Sequence, residues 1–318
     1  MVASDLPLKP RNLAYVLIDV AVGISILIQH DSSITLRNTM SKSYASKAIL
    51  LAVLFTVIVV PTSRAQDDTP TSYFQVDFMK VAPGNEAEYL DVEHSIWKPI
   101  HEARQRAGNL VSWSLYMIRY PSGTNTEYNF VTVNAYSDFN HTENSFSDNV
   151  VQQAHPGASE ADRTEMMNRT GASRDLVRSE MWMLHDVLAP SSPAQYVTVT
   201  HMTVPPGGGE DYLTLEREIW KPIHAASVEA GYRSGWGVYS MMFPNGASEP
   251  YNYGTVNFFD EYSDIVADVP DEVWENAHPG YTEAMWDDVF ARTLEVRSVY
   301  DSQLWQLVET TNTAAYED

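Results

Sequence analysis

The hexapeptide IWKPIH stands at residues 96–101 and again at residues 219–224, and no other feature constrains the fold as tightly. The offset of 123 residues holds well beyond the motif. Tyr89, Glu93, Gly108, Trp113, Tyr116, Pro121 and Gly123 return as Tyr212, Glu216, Gly231, Trp236, Tyr239, Pro244 and Gly246. Tyr128-Asn129, Thr132-Val133-Asn134, the AHPG of residues 154–157, Arg174 and Trp182 return in the same way. Between residues 73–184 and 196–307, 41 of 112 aligned pairs are identical without a gap, the mark of one domain duplicated in tandem. The Pro- and Ser-rich stretch 188–195 has the composition of a short joint.

Each copy carries the same succession of patterns. Residues 73–81 (YFQVDFMKV) and 196–204 (YVTVTHMTV) are β-branched and aromatic, as strands are. Helices are predicted over 86–107 and 210–230, ending near Gly108 and Gly231. Pro99 and Pro222 lie inside them, so a kink or break is expected at Lys98 and Lys221. Hairpins follow, pairing 111–120 with 127–136 and 234–243 with 251–259. A variable stretch leads to the HPG motif, after which Ser159 or Thr282 caps a second helix. Last strands cover about 176–185 and 299–307.

The order β-α-β-β-α-β is that of a ferredoxin-like unit, whose sheet carries helices on one face and needs cover on the other. Two copies in one chain can cover each other. In this the layout resembles the dimeric α+β barrel superfamily, which includes antibiotic-biosynthesis-monooxygenase-like, NIPSNAP-like and stress-responsive A/B-barrel proteins. The resemblance implies an α+β fold in which two tandem βαββαβ repeats form an intramolecular barrel. It brings no catalytic signature with it. Relatives of this fold include haem binders, so the resemblance admits a haem-binding variant through His155 or His278.

Residues 40–65 have the anatomy of a secretory signal: Lys42 and Lys47, an apolar core, then Ser63-Arg64-Ala65. Cleavage is expected after Ala65, and export to the periplasm or medium. Met40 is the expected start, which makes residues 1–39 a mis-assigned extension. The expected units are a first repeat over 72–188, a linker over 189–194, a second repeat over 195–309 and a tail over 310–318.

The formal charge of −22 opposes nucleic acid and anionic lipid as partners. Cysteine is absent, which excludes disulfides, thiolate metal sites and a catalytic thiol. There is no GxGxxG, P-loop, GxSxG or EF-hand pattern, so nucleotide cofactors and the common serine hydrolase scheme lack support.

The recurring polar residues are the site candidates. Glu93, Trp97 and His101 follow at i, i+4 and i+8, as do Glu216, Trp220 and His224, and α-helical geometry sets each trio along one stripe. The first and last are about 12 Å apart along the axis, too far to share a metal ion, and no metal site is assigned. His155 and His278 sit at rigid turns, where a histidine either carries a proton or fixes the loop through a carbonyl. Arg174 and Arg297 are expected ion-pair partners for Glu93 and Glu216. Tyr128, Thr132, Asn134 and Tyr136 alternate along one strand face, repeated by Tyr251, Thr255 and Asn257, and face either solvent or a cavity. With Tyr116 and Tyr239 these make aromatic walls carrying a few polar groups, as small-molecule pockets do.

The expectation is therefore one pocket per repeat for a small, partly apolar molecule. Glu93, His101 and His155, with Glu216, His224 and His278, would be the acid–base groups. Trp97, Trp220, Tyr116, Tyr239, Asn134, Asn257, Arg174 and Arg297 would bind the ligand. A cofactor-independent oxygenase or isomerase with a His general base is the enzymatic alternative, and a non-catalytic assembly module the structural one. The chain is expected as a monomer with pseudo-dimer symmetry, able to form higher oligomers.

Overall fold

The computed structural model describes residues 72–143 and 146–312. The expected signal, the stretch before it and most of the tail lie outside the described residues. Eight strands alternate with helices: β1 (Tyr73–Lys80), β2 (Ser112–Tyr120), β3 (Phe130–Tyr136), β4 (Asp175–Leu188), β5 (Tyr196–Thr203), β6 (Gly235–Phe243), β7 (Tyr253–Phe259) and β8 (Ser298–Thr310). They close into one antiparallel barrel in the order β1-β3-β2-β8-β5-β7-β6-β4. Residues 73–188 thus supply β4-β1-β3-β2, and residues 196–310 supply β8-β5-β7-β6. The seams are β2 with β8 and β4 with β6.

Closure explains why β4 and β8 outrun their predicted ends. Asp186, Val187 and Leu188 pair with Val238, Gly237 and Trp236, while Glu309 and Thr310 pair with Leu115 and Ser114. Those last residues find their hydrogen-bond partners only in the other half, which pattern within one copy cannot reveal. Inside the barrel, Val76, Phe78, Val131, Trp182, Val199 and Trp305 form one buried core. Separate cores around Trp113 and Trp236 fill the layer between barrel and helices.

Where a kink or break was expected, the helices along the barrel run on through a π turn. In the first half α1 (Glu86–Val92) passes through a π turn, Glu93–Trp97, into α2 (Lys98–Arg106). Lys98 N–H bonds the Glu93 carbonyl, one residue further back than in an α-helix. The wider turn takes up the missing N–H and the ring of Pro99, which stands in the first turn of α2 where proline is tolerated. The second half repeats this with α5 (Gly209–Leu215), the π turn Glu216–Trp220 and α6 (Lys221–Glu229).

Before each HPG motif lies a short helix that the sequence reading left as a variable stretch: α3 (Asp148–Ala154) and α7 (Asp271–Ala277). Next come α4 (Glu160–Ser173), opened by a Ser159–Asp162 capping box, and α8 (Glu283–Val296), capped by Thr282. No helix among the described residues is long and apolar enough to cross a membrane.

Candidate functional site

The repeated motifs prove to bind one another. His155 Nε2 donates to the Ile96 carbonyl at 3.0 Å, and His278 Nε2 to that of Ile219 at 2.9 Å, so each HPG loop is tied to a π turn. Lys98 Nζ reaches Glu309 across the β2–β8 seam at 2.8 Å, and Lys221 Nζ reaches Asp186 across the β4–β6 seam at 2.7 Å. Trp97 Nε1 donates to Thr170, while Trp220 is core. The hexapeptide therefore welds helix to loop and half to half.

His101 and His224 are also architectural. Arg104 donates to His101 Nδ1 at 2.9 Å and to Asn134 Oδ1 at 3.1 Å. Arg233 donates to His224 Nδ1 at 2.7 Å and to Asn257 Oδ1 at 2.5 Å. Burial, then the neighbouring guanidinium, holds both imidazoles well below their ordinary range, so they are neutral acceptors. Each ring stacks on a fully buried indole, Trp113 or Trp236, with centroids 5.0 Å apart.

Glu93 and Glu216 lie apart from these histidines. Each is about 2% exposed, with Arg174 or Arg297 at 3.9 or 4.0 Å, the outer limit of an ion pair. Burial pushes both carboxyls up to about 7, against the pull of the arginine and of Tyr89 or Tyr212. Glu93 and His101 have different direct partners, Arg174 and Arg104, as have Glu216 and His224 in Arg297 and Arg233. The expected stripe does not become one site.

Of the hairpin residues Thr132, Asn134 and Tyr136 share a face, as do Thr255 and Asn257, but Tyr128 and Tyr251 do not join them. Asn129 closes a two-way amide bridge with Val81, and Asn252 does so with Val204. These bridges end the strands short of Tyr128 and Tyr251, and both rings pack into the barrel interior. Thr132, Asn134 and Thr255 are buried on the other face, and Asn134 and Asn257 meet the arginines of the helix layer. That layer is neither solvent nor cavity.

The open space lies elsewhere, inside the barrel: a chamber of about 300 Å³ walled by both halves. Of the expected site residues, Tyr116 and Tyr239 line it. Residues of the joint, Pro190, Ser192, Pro193 and Ala194, line it too. The walls are mostly aromatic and aliphatic, with Ser112, Ser114, Ser192, Thr310 and Asn312 among the lining, and a polar cluster around His201 that sequence reasoning missed. His201, 2% exposed, faces the chamber, and its Nδ1 donates to Asp301 Oδ1 at 2.5 Å. Its ring stacks on Tyr251 at 4.2 Å and on Trp182 at 6.0 Å.

Behind those rings sits Glu180, taking Trp182 Nε1 at 2.8 Å, Tyr251 OH at 2.6 Å and the Arg178 guanidinium at 2.5 Å. Glu180 thus accepts two hydrogen bonds and pairs with Arg178, while the bond of His201 to Asp301 uses Nδ1. Burial alone would raise the Asp301 carboxyl, but hydrogen bonds from His201 and Gln303 and the His201 charge bring it below its ordinary value. A carboxylate that orients a histidine in this way is a common arrangement for proton transfer.

The register sets a row beside the dyad. His201, Gly254, Tyr239 and Leu184 are successive cross-strand partners over β5, β7, β6 and β4, so they share one inward row. The equivalent row of the first half is Phe78, Val131, Tyr116 and Leu307. Val131 fills its place completely. Gly254 places no side chain between His201 and Tyr239, and a Cβ there would touch the Trp182 ring and the Thr200 carbonyl at 3.5 Å.

Among the described residues no group of three or more His, Asp or Glu side chains is placed to hold a metal ion. His155 and His278, the ligands of the haem variant, spend Nε2 on carbonyls and do not line the chamber.

Neither a protein-family model nor a curated protein sequence matches the chain. Solved structures do. A candidate monooxygenase from Fusobacterium nucleatum is 10% identical, covers 76% of this chain and 93% of its own, and has a TM-score of 0.44. A haem-binding protein from Thermus thermophilus is 11% identical, with coverages of 75% and 91% and a TM-score of 0.42. A variant chlorite dismutase from Candidatus Nitrospira defluvii is also 11% identical, with coverages of 75% and 91% and a TM-score of 0.42.

Proposed function

We propose that the chain is an exported protein of two tandem ferredoxin-like repeats that binds one small, mostly apolar molecule inside the barrel. His201, oriented by Asp301, exchanges a proton with that molecule through Nε2. This is the histidine-base reading of the sequence with the base moved to a residue of the chamber wall. The observation that carries it is a carboxylate-paired histidine on the wall of an otherwise apolar cavity.

Stoichiometry tests the reading. Native mass spectrometry of the exported protein is expected to show one bound small molecule per chain. Two per chain would return the sites to the separate halves, and a protein empty after incubation with apolar metabolite extracts would remove the reading. Gly254→Ala, whose Cβ would make ordinary contact with Trp182 on the chamber wall, is expected to weaken binding while the melting temperature holds. His201→Gln keeps the shape but loses the exchangeable ring proton. It is expected to retain the ligand and lose any turnover by about 100-fold or more.

A further inference from the structure

The second half holds a recess that the chamber reading does not use, on the solvent side of its helix layer. It lies between α7, the HPG loop and α8 and measures about 20 Å³, room for one compact group. Trp274, Tyr281, Trp286 and Phe290 line it. So do Asp271 and Glu275, both exposed, which stand about one helical turn apart on α7. The rings do not form one stack: Trp286 lies at 80° to Trp274 and at 51° to Tyr281, with centroids 5.2 and 5.1 Å apart. His278 completes the wall, and its bond to the Ile219 carbonyl fixes the loop that carries Tyr281.

The first half folds the same way here without those walls. Val151, Ala158, Arg163 and Met167 stand where the second half has Trp274, Tyr281, Trp286 and Phe290, and Gln152 stands where it has Glu275. The tie from HPG loop to π turn is present in both halves, so it does not depend on the four rings. Rings replace small, flexible or cationic side chains, and a carboxylate replaces an amide, all around one recess. Packing alone favours the rings but gives no reason to set a further carboxylate beside them.

Chemistry narrows the occupant. The residues lining the recess include two carboxylates and no Lys or Arg, which opposes an anion. A neutral apolar group would strip water from the carboxylates without return. A bare ammonium is strongly hydrated and would trade that water for rings on most sides. A methylated ammonium instead carries its charge on an apolar surface, the kind of cation that aromatic side chains attract. The formal charge of −22 draws such ions towards the protein from a distance. We propose that this recess binds the methylated ammonium head of a small cation, with the four rings as walls and Glu275 and Asp271 as counter-charge.

The test titrates the full chain by calorimetry with choline, with neohexyl alcohol, its uncharged isostere, and with ethanolamine, its unmethylated analogue. Choline is expected to bind about tenfold more tightly than either. The double variant Tyr281→Ala with Phe290→Met gives the recess two residues of the first half and should abolish that preference. Glu275→Gln changes an exposed side chain, leaves the rings in place and should weaken choline binding about threefold. If the double variant does not fold, Glu275→Gln decides alone. Choline bound no more tightly than the alcohol or ethanolamine would overturn the proposal, as would no binding of choline at all. Choline affinity unchanged in the variants would set the cation elsewhere on the chain, and it too overturns the proposal.

Discussion

The two halves of the barrel agree in their helix layers and disagree on the inner wall, and the two relations record different pressures. In the helix layer a guanidinium bridges a histidine and an asparagine in both halves, yet the arginine comes from different places in the chain. Arg104 lies on α2, where the second half has Ser227; Arg233 precedes β6, where the first half has Leu110. The interaction has been kept although the residue that supplies it has moved. On the inner wall the reverse holds. Phe78, Arg178 and Glu180 stand opposite His201, Asp301 and Gln303 by sequence, and the strand positions are equivalent while the chemistry is not.

The strongest way to break this comparison is to attack the agreement. Trp113 and Trp236 are both fully buried under a stacked imidazole. Trp113→Ala and Trp236→Ala are expected to cost about 3–5 kcal/mol each in urea unfolding, and to nearly the same extent. A large inequality would mean that one half carries the stability of the barrel. Arg104→Ser should cost about 2–3 kcal/mol, since His101, Asn134 and Tyr136 lose a charged donor inside the protein. Adding Leu110→Arg copies the second half's solution into the first and should recover most of that loss. Failure to recover would show that the two arginines are not interchangeable.

Much of the fold was legible because its determinants repeat within the chain. Strand alternation, the glycines that end the helices and the Ser159 and Thr282 caps are local signals present twice. Barrel closure was legible only as a need for cover; the strand ends that make the seams pair between halves and leave no local trace. The π turn hides behind Pro99, since a proline in a helical pattern usually announces a break. The candidate site was the least legible part, and for a physical reason. Among residues retained in both copies, Glu93 lies by Arg174, His101 bonds Arg104 and His155 bonds the Ile96 carbonyl, and none of them lines the chamber. His201 and Asp301 answer to Phe78 and Arg178, so a search for retained pairs passes over them. A signal was available for His201, an ionisable residue on a predicted strand where the other copy has Phe78.

The buried carboxyls supply a gentler test of the agreement. Glu93 and Glu216 are each raised to about 7 in the folded chain, above their value of 4.5 when solvated. The folded state therefore holds more protons between those two values, and unfolding becomes easier as pH rises from about 5 to about 7. The contribution is complete below 4.5 and spent above about 7. Each site is worth on the order of 3 kcal/mol over that window. Glu93→Gln and Glu216→Gln should each remove about half of the slope in urea midpoints measured against pH. A slope untouched by one of them would show that its carboxyl is already ionised and paired with its arginine.

The smallest expected effect concerns the one place where helix-layer agreement and inner-wall divergence meet on a single strand pair. Ser114 bonds Thr310 at 3.0 Å across the β2–β8 seam, and its counterpart Gly237 has no side chain to offer β4. Gly237 is required where it stands, because Tyr239 occupies the volume a Cβ would need. Ser114 is under no such demand, since Tyr116 already accommodates it. Ser114→Gly should therefore cost only about 0.5–1 kcal/mol, the usual price of glycine in a strand. Gly237→Ala should cost more, about 1–3 kcal/mol, through overpacking against the phenol. Urea unfolding of the two variants decides the matter. Equal losses would mean that the Tyr239 ring can move aside, so the difference between these strands would be drift rather than accommodation of the ring.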